Sequence, residues 1–295
     1  MFIIKNKNLS FMKRINAIVV VGLMAGLMML ASCKKENITE VIKHRSLPGT
    51  FSVSDTLKVH FSPGNLQYQA STNTWRFAEH QYDYVGDDNS NISSTYSGWI
   101  DLFNWGTGNH PTESFDWYSE SYSEWGSNAI SNGGNITNLW RTLTIAEWEY
   151  LLEERTNASD KLGTGNIAGV GGLIILPDSW TLPSGCSFTA GFASRYNDWT
   201  RNSYTLAQWS QMEAAGAVFL PAAGGRFLTD VVDVGEGGKY WSSSGCSGYS
   251  HSYLYIFFDR NFFSVWGEIV QLPFGYGFSV RLVLDEIRIR TSFDS

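Results

Sequence analysis

Covalent or metal chemistry in this chain would have to come from few side chains. The cysteines are Cys33, Cys186 and Cys246, and the histidines are His44, His60, His80, His110 and His251. No CxxC, no HExxH and no Cys/His cluster sets them at zinc-ligand spacing. Each histidine stands in its own context, as surface or internally bonded imidazoles do. Cys186 and Cys246 share a Ser-Gly-Cys-Ser setting. They could form a disulfide or stay two free thiols, because sequence does not say whether their Cα atoms come within about 7 Å. Asp83, Asp87 and Asp88 offer the oxygens a structural calcium ion accepts, and an exposed acidic loop accounts for them equally. Gly163 to Gly169 superficially matches a phosphate-cradling loop, but it joins no strand to a long helix.

Recognition chemistry is better supplied. Between Gly245 and Tyr276 stand Tyr249, His251, Tyr253, Tyr255, Phe257, Asp259, Asn261, Phe263 and Trp266, and Tyr276 closes the run. Aromatic rings set among Ser, Asn and Gly are the mix that binding surfaces favour, since Tyr gives a large contact area at small entropy cost. Alternation over Tyr253 to Phe258 predicts a strand with Leu254, Ile256 and Phe258 inward and Tyr253, Tyr255 and Phe257 outward. The outward rings form either a binding surface or a second packed layer under the loops around Trp99 to Trp125.

A different cysteine chemistry is written at the amino terminus. Lys13-Arg14 precedes an apolar run, Ala17 to Ala31, too short for the roughly 20 residues of a membrane span and suited to a signal peptide. The run ends in Leu30-Ala31-Ser32-Cys33, which resembles a bacterial lipobox. That likeness implies cleavage before Cys33 and acylation of its thiol, palmitate included. Residues 1–33 are thus expected to be a lipoprotein signal peptide, 34–47 a polar tether, 48–284 one domain and 285–295 a tail. The expected address is the cell envelope, on the outer membrane, facing periplasm or exterior.

The net charge of −7 becomes −11 once residues 1–33, with four basic residues and no acid, are removed. That excludes nucleic acid as a natural partner and leaves the lipid, rather than basic residues, to hold the membrane. Charged residues are 17%, against a usual ~25%, which rules out a coiled coil or a disordered acidic chain.

The elements that must position these residues are short. Thr50 to Ser54 and Leu57 to Phe61 alternate as a strand pair, and Leu66 to Gln69 with Thr74 to Phe77 reads as a hairpin. Thr144 with Glu147, and Thr205 with Gln208, are capping boxes. The first opens a helix with Trp148, Leu151 and Leu152 on its apolar face. The second opens one with Leu206, Trp209 and Met212 inward and Gly216 as the stop. Strands are expected at Ala217 to Pro221, Tyr240 to Ser244, Tyr253 to Phe258 and Gly277 to Val283. The fold class is α+β, with helices early and a strand-rich end.

Arg141-Thr142-Leu143-Thr144-Ile145-Ala146-Glu147-Trp148 resembles the arginine, short strand and helix start of the formylglycine-generating, sulfatase-modifying branch of C-type-lectin-like folds. Gly277-Phe278-Ser279-Val280-Arg281 resembles the closing strand of that branch, and Tyr240-Trp241-Ser242-Ser243-Ser244 its preceding core strand. From Pro48 onward the chain is similar to Bacteroidetes lipoproteins related to the major paralogous domains of Fibrobacter and to variable proteins of diversity-generating retroelements. The resemblance implies helices on small antiparallel sheets with long irregular loops. It also implies a binding face at 245–276 between two fixed brackets, Trp241 to Ser244 and Gly277 to Arg281. Catalytic members hold copper with a close cysteine pair near the carboxyl end, where this chain has Cys246 alone. The expected function is therefore non-catalytic binding of a protein or glycan, without a cofactor. The rivals are a reduced formylglycine-generating-type enzyme and a structural fimbrial or surface subunit.

Overall fold

The computed structural model describes residues 45–112, 122–192, 199–245, 253–259, 263–266 and 275–286. Its strands run in chain order as β1 (Phe51–Ser52), β2 (Lys58–Phe61), β3 (Leu66–Gln69), β4 (Thr74–Phe77), β5 (Phe103–Asn104) and β6 (Arg141–Thr142). Helix α1 (Ile145–Glu149) follows, then β7 (Leu162–Ile167), β8 (Val170–Ile175), β9 (Ser203–Tyr204), helix α2 (Leu206–Ala214), β10 (Val218–Pro221), β11 (Gly225–Phe227) and β12 (Asp230–Val232). The last five are β13 (Gly237–Gly245), β14 (Tyr253–Asp259), β15 (Phe263–Trp266), β16 (Tyr276–Phe278) and β17 (Leu282–Asp285). The class is mixed α+β: small, mostly antiparallel sheets and, among the described residues, two α-helices.

The final strand closes the chain on its beginning. β17 lies between β2 and β6, pairing Val283 with Phe61 on one side and Leu282 with Thr142 on the other. Arg141 locks this junction. It donates Nη1 and Nη2 to the two carboxylate oxygens of Glu147 at 2.8 and 2.7 Å, and Nε to Asp285 Oδ1 at 2.7 Å. Glu147 is also the third residue of the α1 capping box, accepting from Thr144 N at 2.8 Å. One carboxylate thus caps a helix and fixes a strand arginine, a bidentate geometry that only a guanidinium supplies.

Two further four-stranded sheets, β10-β8-β7-β9 and β12-β11-β16-β5, and the sheet β13-β14-β15 pack around this junction. One core joins Trp148, Leu151 and Leu152 to Leu173, Ile175, Val218, Leu220, Tyr240, Ile256 and Phe258. A second gathers Trp75, Phe103, Trp125, Trp140, Trp241 and Phe278. The dense tryptophan content fills the irregular space between short sheets, where one large ring replaces several aliphatic contacts.

Several expectations are revised. The closing strand does not run unbroken from 277 to 283: β16 ends at Phe278 and β17 begins at Leu282. Ser279 to Arg281 carry the chain from one sheet to the next, with Ser279 bridging to Tyr240. Leu206 is 52% exposed instead of facing the core, although it stands at i,i+3 spacing from Trp209, which is buried with Met212. α1 ends at Glu149 and continues as a π-turn over Tyr150–Glu154, which still buries Leu151 and Leu152. The early strand pair and hairpin expected between 50 and 77 are present as β1 to β4. At the margins of the expected domain, Leu47 is buried and donates to Phe61 O at 2.8 Å, and Asp285 belongs to β17. Gly163 to Ile167 lie in β7, turning tightly into β8. Residues 1–44 and 287–295, which hold the expected signal peptide and most of the expected tether and tail, lie outside the described residues, among which no helix is long and apolar enough to cross a membrane.

Asp101 is fully buried beside the second core. It accepts from Asn89 Nδ2 at 2.8 Å and from Val85 N at 2.9 Å, and burial pushes its carboxyl up to about 6 against the pull of those bonds. The folded chain therefore takes up a proton as pH falls through about 6, whereas an unfolded chain does so only near 4. This group's contribution to stability rises as pH falls across that window and is lost as pH rises through it, by about 3 kcal/mol. Urea midpoints measured between pH 4 and 7 are expected to carry this slope in the wild type and to lose it in Asp101→Asn. An unchanged slope would mean that the carboxyl is not the titrating group.

Candidate ligand-binding site

The two segments expected to bracket a binding face meet in space. Trp241 N donates to Ser279 O at 3.0 Å and Ser279 N to Lys239 O at 3.0 Å. The Trp241 and Phe278 rings lie 4.3 Å apart. Behind them, Trp241 Nε1 donates to Phe103 O at 2.6 Å, and Trp241, Phe278 and Val280 are buried in the second core. Chain leaving β13 near Gly245 and returning at Tyr276 thus departs from and comes back to one buried clasp.

Arg281 anchors the returning bracket. Its guanidinium is fully buried and donates to Gln81 Oε1 at 2.9 Å, Phe219 O at 2.7 Å and Asn65 Oδ1 at 3.4 Å. Burial brings its pKa down to about 10, leaving it cationic at neutral pH. The partners are carbonyl oxygens, as expected for a structural arginine. Tyr240, on the outgoing bracket, shares the network: its hydroxyl donates to Pro221 O at 2.9 Å and accepts from Asn65 Nδ2 at 3.1 Å.

The register of the β13-β14-β15 sheet decides which side chains share a row. Tyr240 stands opposite Ile256 and Gly238 opposite Phe258, both on the buried side. Trp241 stands opposite Tyr255, and Lys239 opposite Phe257. Ile256 and Phe258 are thus inward as predicted, while Tyr255 and Phe257 are half-buried and not fully outward. The Tyr255 ring lies 4.8 Å from Phe278 and 5.9 Å from Trp241, making it the lid of the second core as well as part of its surface. Trp105 lies toward the far end of β13, its Nε1 donating to Ser242 O at 2.9 Å.

Tyr276 belongs to the same seam from the neighbouring sheet. Its ring sits 4.9 Å from Phe227 and 5.9 Å from Phe278. Lys239 Nζ is 6.0 Å from the centroids of both Phe257 and Phe278, the distance of a cation–π contact, and ion-pairs with Asp233 Oδ2 at 2.5 Å. Phe257, Tyr255, Tyr276 and Phe227 therefore form one half-buried aromatic seam across two sheets, with a lysine–aspartate pair at its edge. Phe227 was not legible as a site residue, because β11 precedes the aromatic run and joins it through β16, whereas Lys239 lies in β13 directly opposite Phe257.

Among the other expected site residues, the register places Trp266 in the row of Tyr255. Asp259 stands opposite Gly237, and Phe263 opposite the buried Phe258 rather than in line with Tyr255 or Phe257. Tyr253 opens β14 opposite Gly245. Tyr249, His251, Asn261, Cys246 and the lipidation candidate Cys33 lie outside the described residues. Cys186 carries a free thiol, its Sγ 3.7 Å from Gln208 O. Among the described residues no three His, Cys, Asp or Glu side chains gather to hold a metal. Asp83 instead accepts from His80 N at 3.0 Å, and Asp87 and Asp88 sit in the first turn of a short 3-10 helix. His80 stacks on Tyr82 at 5.0 Å, and burial pushes the pKa of His60 down.

Comparison with protein-family models, with curated proteins and with solved structures returned no match.

The seam separates surface from core by a measurable step. Ile256→Ala is expected to lower unfolding free energy by about 3 kcal/mol, Tyr255→Ala by about 2 and Phe257→Ala by about 1, in urea titrations. Equal losses at 256 and 257 would make Phe257 a core residue and remove it from the candidate site.

Proposed function

We propose that this chain is a lipid-anchored, non-catalytic ligand-binding protein of the bacterial cell envelope. On this reading its domain is C-type-lectin-like, of the formylglycine-generating-enzyme branch, and takes a protein or glycan ligand on residues 245–276 and the aromatic seam at their base. The observation that carries the proposal is the clasp between Trp241 and Ser279. Within that segment Ile256 and Phe258 are core residues, while positions away from them can vary, or present diversified residues, above a fixed junction. Pairing of β17 with β2, which brings the domain's ends together, and the Arg141 to Glu147 clamp support the fold assignment. Half-buried Tyr and Phe rings beside a cation supply contact area with little entropy to lose on binding. The anchor rests on Leu30-Ala31-Ser32-Cys33, with Lys34 onward as the beginning of the tether.

Two experiments test the parts separately. In a Gram-negative host fed labelled palmitate, the wild-type chain is expected to take up label and Cys33→Ala to take up none; equal labelling would remove the anchor. On glycan and protein arrays, the double variant Phe257→Ser/Tyr276→Ser is expected to lose binding by about tenfold or more with its fold retained. Retention of full binding would place the ligand away from the seam.

A further inference from the structure

A cleft of ≈350 Å3 opens on a part of the surface that shares no residue with the aromatic seam. Its volume lies in the lower part of the range of small-molecule sites, about 300–1,000 Å3. Arg45, Ser46, Pro63, Arg76, Glu79 and Asn132 line it, together with the backbone at the end of β4.

The walls are held in place. Asn132 spends its side-chain amide on the main chain of Phe77, accepting from N at 2.7 Å and donating to O at 2.9 Å. Arg45 reaches over to donate Nη1 to Asn132 O at 3.3 Å. Arg76 donates Nε to Gln67 Oε1 at 2.9 Å, and its guanidinium carbon lies 3.7 Å from the centroid of the Trp99 ring. These contacts occupy Nε and one flat face of Arg76 and leave its terminal N–H edge for something else.

Neither arginine forms an ion pair among the described residues. Burial pulls the pKa of Arg76 down, with only the more distant charges of Glu79 and Asp83 opposing it. The cleft therefore presents two guanidinium groups held by neutral partners, the Ser46 hydroxyl, and one exposed carboxylate, Glu79. Guanidinium edges fit a planar carboxylate with two parallel hydrogen bonds. A carboxylate of the protein on the same rim disfavours a dianion such as phosphate and accepts from a hydroxyl or ammonium group. We propose that this cleft binds a small molecule with one carboxylate group that also carries a hydrogen-bond donor, a sugar acid or an amino acid, with Arg45 and Arg76 on its carboxylate and Glu79 on the donor.

The proposal is tested by calorimetry and saturation-transfer NMR on the full chain, with glucuronate and serine as the two sources of that chemistry and glucose and inorganic phosphate as controls. One of the two carboxylates is expected to bind with a Kd of about 1 mM and to name the source. Glucose and phosphate are expected at least about tenfold weaker. Arg76→Gln and Arg45→Gln should each weaken binding about tenfold. Arg76→Lys, which keeps the charge and loses the fork, should weaken it too and serves as the second variant if Arg76→Gln fails to fold. Glu79→Gln should weaken the preferred ligand while leaving the weak binding of acetate unchanged. Glucose binding as tightly as the carboxylates, carboxylate binding indifferent to both arginines, or no binding at about 20 mM of either carboxylate would overturn the proposal.

Discussion

The structure depends on a buried positive charge held by dipoles. Arg281 has no carboxylate of the described residues within ion-pair distance; its guanidinium is held by the carbonyl of Phe219 and the side-chain oxygens of Gln81 and Asn65. Removing such a group from water costs several kcal/mol, so it persists only where charge-assisted bonds come from rigid neighbours. Rigidity follows from the rest of the network. Gln81 also accepts from Phe219 N at 2.8 Å and donates to Glu213 Oε2 at 2.8 Å, tying the strand after α2 to the helix itself. Tyr240 connects Asn65 to Pro221. Strand ends and loops far apart in the chain thus meet at one guanidinium. Arg226 repeats the device on a smaller scale, holding Leu102 O and Asn104 Oδ1 from β11, and burial brings its pKa down to about 10 as well.

That constraint explains the break between β16 and β17. The chain must cross from the sheet holding Phe278 to the one holding Leu282, and the crossing residues are the ones that reach Tyr240 and the Gln81 network. It also sets the character of the candidate site. The clasp of Trp241 with Ser279 adjoins the Arg281 and Tyr240 network, so the base of the 245–276 excursion rests on fully buried, hydrogen-bonded residues. The aromatic seam then does two things at once: Tyr255 covers Trp241 and Phe278, while Phe257 and Tyr276 remain partly open. A surface built this way gains contact area without exposing a large apolar patch, because Tyr255 and Tyr276 pack on Phe278 and Phe257 lies beside the Lys239 ammonium.

Much of the local structure was legible in the residues. Thr144 with Glu147 and Thr205 with Gln208 form capping boxes as their spacing predicts, and Gly216, at φ 103°, takes the left-handed conformation that ends α2. The hairpin of β3 and β4 turns where Ala70 to Asn73 predicted it. Ile256 and Phe258 follow the alternation. Leu206 does not, because a position in the first helical turn answers to the neighbouring surface and not to periodicity alone. The seam was half legible: Tyr255, Phe257 and Tyr276 stand in one aromatic run, whereas Phe227 reaches them from a strand whose neighbours in sequence give no sign of it.

The division is physical. Caps, tight turns and strand alternation depend on groups within a few residues of one another, and for these the sequence alone was sufficient. Sheet order, the meeting of the brackets, the Arg141 clamp across 144 residues to Asp285 and the reach of Arg281 across 200 residues to Gln81 depend on long-range pairing. No local pattern encodes which of the seventeen strands among the described residues lie side by side, since most carry only a few side chains with which to distinguish their neighbours. Only the packed structure, by requiring that buried charges find oxygens and large rings find space, decided that arrangement.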